Sequence, residues 1–259
     1  MPLSLSDFDA ITFDVYGTLI DWEPAIIDFL RRWADRNTIS SPPQDLLMAF
    51  DRARAEIQKE RPAHLYPDVL RRCFDHISAE FGVAADQRKR EAFAATPHQW
   101  PAYPDSHAGL KALQAHARIG ALSNIDNASL ESSCRKLAFR FDVIVTAERV
   151  GAYKPDVPHF HTGIADLAAL GIPRERILHV GQSLRADITP ANRLDLKCAW
   201  INRPGRLLGL SGEGAAEAKP ALTVSSLQEL VTAITANNRA VVIKGKVKHR
   251  ETRRNLPVT

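Results

Sequence analysis

Ala10-Ile-Thr-Phe-Asp14-Val-Tyr16, with Gly17 directly behind it, is the stretch whose reading decides the fold. An apolar, β-branched and aromatic run that reaches a carboxylate and then a turn residue predicts a buried strand over 10–16 that ends in a turn. Four runs of the same kind follow at 118–122, 141–145, 177–180 and 198–201. Helical patterns lie between them, near 106–116, 128–138, 157–170 and 186–195. Strands alternating with helices imply parallel pairing, with helices on both faces of one sheet.

The stretch from about Trp22 to Tyr103 breaks that alternation. It is helical by pattern, with amphipathic runs at 26–33, 46–60 and 70–81, and Ser41-Pro-Pro43, Arg61-Pro62 and Thr96-Pro97 separate or end them. The expected organisation is an α/β chain: a Rossmann-like core from residues 1–21 and 104–236, a helical cap from 22–103, and a basic tail from 237–259, expected to be flexible. Within the core, 209–220 reads as a loop and 224–236 as a last surface helix.

In an open parallel sheet, ligands bind beyond the carboxyl ends of the strands. The polar residues at those ends form a set. The first strand delivers Asp14 with Tyr16-Gly17-Thr18, the second ends in Ser123-Asn124, the third is followed by Lys154-Pro155, and the fourth leads into Gly181-Gln-Ser183 and Asp187. A carboxylate, a hydroxyl, an ammonium and a second carboxylate therefore converge on one rim. A neighbouring ammonium lowers a carboxyl pKa by about 1–3 units and keeps it ionised.

These motifs, Asp14-Val-Tyr-Gly-Thr-Leu19, Ser123-Asn124, Lys154-Pro155 and Gly181-Gln-Ser-Leu-Arg-Ala-Asp187, resemble those of the haloacid dehalogenase-like hydrolase superfamily. The resemblance implies a Rossmann-like core with a mobile cap and an aspartate nucleophile at Asp14. Most members are magnesium-dependent phosphatases with DxDGT in the first motif and GDSxxxD in the fourth. Here Tyr16 and Gln182 stand where those two extra carboxylates would be. Tyrosine, with a pKa near 10, is a poor proton shuttle at neutral pH, and an amide is a weak Mg²⁺ ligand. The Asp-x-Tyr-Gly-Thr form and Trp200-Ile-Asn-Arg203 are similar to L-2-haloacid dehalogenases instead.

That closer resemblance implies hydrolysis of a 2-haloacid without a metal. Asp14 would displace halide and form an aspartyl ester; water oriented by Asp187, with help from Lys154 and Ser183, would then hydrolyse it. Thr18 would hydrogen-bond Asp14. Ser123 and the backbone around Asn124 would hold the substrate carboxylate, with Tyr16, Gln182 and Phe160 as further substrate-binding positions. Phe160 stands where those enzymes have a tyrosine, and the fourth motif is one residue longer than their SSNxxD. They also use a cap arginine near the leaving halide; Arg52 and Arg54 lie on a suitable helix, and both also read as exposed helix charges. No cofactor is expected, with Mg²⁺ the alternative for a phosphatase-like hydrolase. A third reading, a non-catalytic binding protein acting through its tail, would be favoured by loss of Asp14, Ser123 or Lys154, and all three are present.

Composition sets the remaining bounds. The net charge of +4 is unevenly placed. Residues 239–259 hold seven Lys/Arg against one acid, leaving 27 against 29, a net −2, for the rest. A basic tail on a mildly acidic body gives no footprint for nucleic acid. There is no 18-residue apolar run and no signal-peptide pattern at the N-terminus, and Cys73, Cys134 and Cys198 are sparse and odd in number. The expected setting is the cytoplasm, the partner a small carboxylate, with no membrane or nucleic acid and a homodimer compatible with the resemblance. Nine histidines show no metal-binding spacing; His159 and His161 read as non-ligands and His179 as a core histidine more readily than a pocket one.

Overall fold

The computed structural model of the chain describes residues 3–236, so the expected basic tail at 237–259 lies outside the described residues. Six parallel strands form one sheet: β1 Ala10–Phe13, β2 Arg118–Ser123, β3 Val143–Thr146, β4 Ile177–Gly181, β5 Lys197–Ile201 and β6 Leu222–Val224. Their order is β3-β2-β1-β4-β5-β6, with Phe13 level with Ala121 on one side and Val180 on the other. β1 is therefore central, and its four residues are all buried. Such a strand, covered on both faces, has to be apolar throughout, as Ala10-Ile-Thr-Phe13 nearly is.

The crossovers are helical: α5 Ser106–Gln114, α6 Asn127–Leu137, α7 Ala147–Val150, α8 Pro158–Ala169 and α9 Thr189–Arg193, with a further helical run at 227–236. Between β1 and β2 lie α1 Glu23–Arg36, α2 Pro43–Ile57, α3 Tyr66–Glu80 and α4 Gln87–Ala94, which pack on one another. Phe50, Phe74 and Phe93 meet at their centre with ring centroids 5.7–5.8 Å apart. Each such buried ring contributes about 1.5–3 kcal/mol. The fold is thus the expected Rossmann-like sheet with a helical insertion after the first strand. The chain leaves and re-enters the sheet side by side: Ile20 bridges Ala102, and the Tyr103 amide donates to the Leu19 carbonyl at 3.0 Å.

Three local expectations are corrected. β1 stops at Phe13 rather than Tyr16, because the amides of Leu19 and Ile20 both fold back onto the Val15 carbonyl and Gly17 takes a φ of +96°. The helix expected at 186–195 starts as a π-helical turn, Leu184–Ile188, before α9. The start of the expected last helix is a short edge strand, β6, three residues long and too brief to carry a period.

Beyond β5 the chain is fastened to the insertion's root. Arg203 is 5% exposed, grips both Asp105 carboxylate oxygens at 2.9 and 2.8 Å, donates to the Thr18 carbonyl at 2.7 Å and lies 4.0 Å over the Tyr103 ring. Arg206 pairs with Asp21 at 2.5 Å, and Glu23 accepts from the amides of Leu207 and Leu208. Removing one partner of a buried ion pair leaves the other uncompensated. We expect Arg203→Ala to lose about 3 kcal/mol in denaturant unfolding; a loss below about 1 kcal/mol, the size of a surface pair, would contradict this account of the junction.

Candidate active site

Asp14 sits one residue beyond β1, its amide still bonded to the Val180 carbonyl at 2.9 Å, so its side chain emerges where the sheet ends. Asp187 reaches the same rim from the π-helical turn. A side chain at Gly181 would place its Cβ 2.4 Å from the Asp187 Cβ, so the last residue of β4 has to be glycine for Asp187 to come this close. The Ser183 amide donates to Asp187 Oδ2 at 3.0 Å, while the Ser183 hydroxyl accepts from the Ala186 amide and closes the turn.

Lys154 lies between the two carboxylates, 1% exposed. Its Nζ donates to Asp14 Oδ1 at 3.0 Å, Asp187 Oδ1 at 2.6 Å and the Leu122 carbonyl at 2.7 Å. An ammonium has three protons, and all three are used inside the protein. No Lys154 donor is therefore left for a substrate anion. Thr18, buried below the cavity, donates to Asp14 Oδ2 at 2.8 Å, so each Asp14 oxygen holds one hydrogen bond.

Two carboxylates sharing one ammonium leave this buried trio one negative charge in excess. Burial pushes the Asp14 carboxyl from an ordinary 3.8 up to about 6, against the pull of Lys154 and with the Asp187 charge adding to the rise. Asp187 goes the other way: burial would raise it, but Lys154 and His179 outweigh that and hold it below the usual range. Lys154 is raised, since the two carboxylates outweigh its own desolvation. His179 is wholly buried behind the site, its Nε2 3.7 Å from Asp187 and its Nδ1 3.0 Å from the Thr12 hydroxyl; burial lowers its pKa and it does not line the cavity.

In front of Asp14 is a cavity of about 70 Å³. Ser123 lines it with a hydroxyl that is wholly buried and has no hydrogen-bond partner. An unpaired buried hydroxyl costs free energy, and a ligand that pairs it recovers that cost. Asn124 also lines the cavity, but its side chain is occupied: Oδ1 accepts from the Lys154 amide at 2.7 Å and Nδ2 donates to the Lys154 carbonyl at 3.0 Å. Only its backbone faces a ligand. Tyr16 and Gln182 are at the wall too. Burial pushes the Tyr16 phenol above its ordinary value, away from any proton-transfer role near neutrality. Gln182 donates from Nε2 to the Leu208 carbonyl and lies against Gly17, where a Cβ would sit 2.9 Å from its Oε1. Phe160 is corrected outright: it is wholly buried on α8, edge-on to His179 at 5.0 Å, and is not part of the cavity.

The insertion supplies the roof. Of the two candidate arginines, Arg52 points away and pairs with Glu80 at 2.6 Å, whereas Arg54 lines the cavity, pairs with Asp51 at 2.5 Å and lies 5.0 Å over the Trp22 ring. A helix turns by about 100° per residue, so two positions along one helix differ by more than half a turn of direction. Trp22 thus belongs to the pocket, while Tyr103 belongs to the junction with Arg203. Asp51, Gln58, Tyr66, Arg185 and the 208–211 loop are lining residues that the sequence did not single out. Only Arg185 carried a signal, as a member of the quoted fourth motif.

A family model described as haloacid dehalogenase-like hydrolase matches residues 8–195. Among characterised proteins, the pyrimidine 5'-nucleotidase YjjG of Escherichia coli (strain K12) is 34% identical over 124 residues, spanning 47% of this chain and 51% of that protein. The 5-amino-6-(5-phospho-D-ribitylamino)uracil phosphatase YigB of the same organism is 28% identical over 76% of this chain and 84% of its own length. The (S)-2-haloacid dehalogenase H-109 of Pseudomonas putida is 26% identical over 87% of this chain and 97% of its own. The crystal structure of the defluorinating L-2-haloacid dehalogenase Rha0230 superposes with a TM-score of 0.71, at 21% identity, covering 90% of this chain and 99% of that one.

A carboxyl whose folded pKa is raised holds its proton more tightly folded than unfolded, so its ionisation costs stability as pH rises through about 6. Asp14→Asn removes that cost. We expect its Tm to exceed the wild-type value by a few degrees at pH 8, with the difference shrinking below about pH 6 and nearly gone near pH 3.8, where the unfolded carboxyl is protonated as well. An Asn variant no more stable than wild type at pH 8 would contradict the charge balance described for the trio.

Proposed function

The chain belongs to the haloacid dehalogenase-like hydrolases, and we propose that within that family it hydrolyses short 2-haloacids to 2-hydroxy acids without a metal. An Asp14 oxygen attacks the carbon bearing the halogen; the new C–O bond forms as the C–X bond breaks, and halide leaves with the electron pair. Water then attacks the ester carbonyl carbon of Asp14. One proton of that water passes to the Asp187 carboxylate and on to solvent, the acyl C–O bond breaks, and the second proton goes to the departing alkoxide oxygen, which frees the hydroxy acid and restores the Asp14 carboxylate. The proton stays on Asp187 only in passing, because Lys154 disfavours its neutral form.

The observation that carries this reading is the donor set around Asp14. Phosphoryl transfer in this family places carboxylates at the positions held here by Tyr16 and Gln182. Mg²⁺ wants several hard oxygens in octahedral array. The residues present do not fit it: the near oxygens of Asp14 and Asp187 are engaged by Lys154, and the Gln182 amide is tied to the Leu208 carbonyl. Among the described residues no group of three His, Cys, Asp or Glu is placed to hold a metal ion. The cavity size and the unpartnered Ser123 hydroxyl support a small anion as ligand, with the substrate carboxylate on Ser123 and the backbone ahead of α6, whose N-terminal end favours negative charge. Arg54 is the roof cation suited to the departing halide. Holding carboxylate and carbon together supplies about 7–11 kcal/mol of the barrier.

The test is halide release from each enantiomer of 2-chloropropionate in EDTA, alongside p-nitrophenyl phosphate with Mg²⁺. Halide released in EDTA, abolished by Asp14→Asn and reduced about 100-fold in kcat by Arg54→Ala, is the expected result. Mg²⁺-dependent phosphate release without any halide would overturn it, and would place the chain with YjjG and YigB in chemistry.

A further inference from the structure

The reaction cavity is not closed on all sides. Gln58, Lys154 and Arg185 line it and also line a second cavity of about 450 Å³ between the C-terminal end of α2, the 153–156 segment and the start of α9. A further substituent on the reacting carbon chain has room in the second cavity, past these three residues. Lys154 has no free proton, as described above. Arg185 differs: among the described residues it has neither a hydrogen bond nor an ion pair.

Its placement has a local cause. The fourth motif is one residue longer than the SSNxxD form, and the chain runs through it in the π-helical turn Leu184–Ile188. Such single-turn bulges re-aim side chains and gather at functional sites. This one sends Asp187 to Lys154 while turning Arg185 to the opening between the cavities. Gly212, at φ +109°, lies against the Arg185 stem, where a Cβ would come within 2.9 Å of Cδ, so the opposite loop is shaped around this side chain. Burial and the nearby Arg54 act against the guanidinium charge, Asp51, Asp187 and Glu213 offset them only in part, and an incoming anion relieves the remainder.

We propose that the second cavity is a subsite for a second carboxylate on the substrate, and that Arg185 is the residue that receives it. Preferred substrates are then short 2-halo dicarboxylates rather than 2-haloalkanoates. The other cations around this cavity are already matched: Arg61 with Asp156, Lys59 with Glu56 and Arg193 with Glu217. One free planar guanidinium suits a monoanionic carboxylate through two parallel hydrogen bonds, whereas a phosphate dianion beside Glu213 would bring two charges to a single unmatched cation.

The inference rests on the proposed reaction for the identity of the reacting end, but its test need not. Succinate and propionate carry no halogen, and their binding to the full chain is measured by calorimetry in wild type, Arg185→Ala and Arg185→Lys. Succinate is expected to bind at least about tenfold more tightly than propionate. Arg185→Ala should erase that ratio, and Arg185→Lys, which keeps the charge without the fork, should keep part of it. In turnover, the ratio of kcat/KM for 2-chlorosuccinate over 2-chloropropionate should fall at least about tenfold in Arg185→Ala. Equal binding of the two acids, or a ratio indifferent to Arg185, overturns the subsite. Arg185-dependent binding of inorganic phosphate without binding of succinate overturns the dicarboxylate assignment. Arg185-dependent succinate binding in a chain inert toward every 2-haloacid would keep the subsite and sink the proposed reaction.

Discussion

One buried ammonium organises the catalytic end of this molecule. Lys154 Nζ satisfies its three donors on Asp14, Asp187 and the Leu122 carbonyl, so it joins β1, β2 and the turn after β4 at a single point. Neither carboxylate could stay ionised at such burial without it, and the lysine could not stay charged without them. Its own position depends on Asn124, which holds the Lys154 backbone from both sides. The charge excess of one within the trio makes Asp14 the most loosely held negative charge of the group, as the proposed attack on a substrate carbon requires.

Around that point the structure uses ordinary devices. Glycine at 17 and 181 makes room, the first by a backbone conformation that L side chains rarely adopt and the second by admitting Asp187 at van der Waals distance. Arg203 and Arg206 tie the loop after β5 to Asp105 and Asp21, on either side of the insertion, and that loop reaches the cavity at Leu208 and Gly209. The root of the insertion and one wall of the cavity are therefore joined through two ion pairs. Among the described residues no helix is long and apolar enough to cross a membrane.

Much of this was legible in the sequence, and the limits were physical. The strand-end residues Asp14, Ser123, Lys154 and Asp187 stood out because chemistry at the end of a parallel sheet needs polar residues directly behind apolar runs. β6 was not legible, since three residues at an edge carry no periodicity. Phe160 was misplaced because a position carried over from a resemblance says nothing about which way its helix faces. Arg54 could not be told from Arg52 in the sequence for a related reason. Whether an arginine on an amphipathic helix meets solvent or a cavity depends on packing partners elsewhere in the chain. A π-helical turn leaves no periodic trace, so Leu184–Ile188 was not legible.

The same strand-end apparatus serves phosphatases and dehalogenases, and relatives of both kinds resemble this chain. With an aspartate nucleophile in both chemistries, what separates them is whether water in the second step attacks a transferred phosphorus or the carbonyl carbon of an ester on Asp14. The most direct measurement is mass spectrometry of the Asp14 peptide and of the hydroxy acid after turnover of 2-chloropropionate in H₂¹⁸O. The account predicts ¹⁸O in the Asp14 carboxylate, and product from the first turnover that carries only ¹⁶O in its new hydroxyl. Labelled hydroxyl in first-turnover product, with an unlabelled Asp14, would contradict nucleophilic attack by this carboxylate.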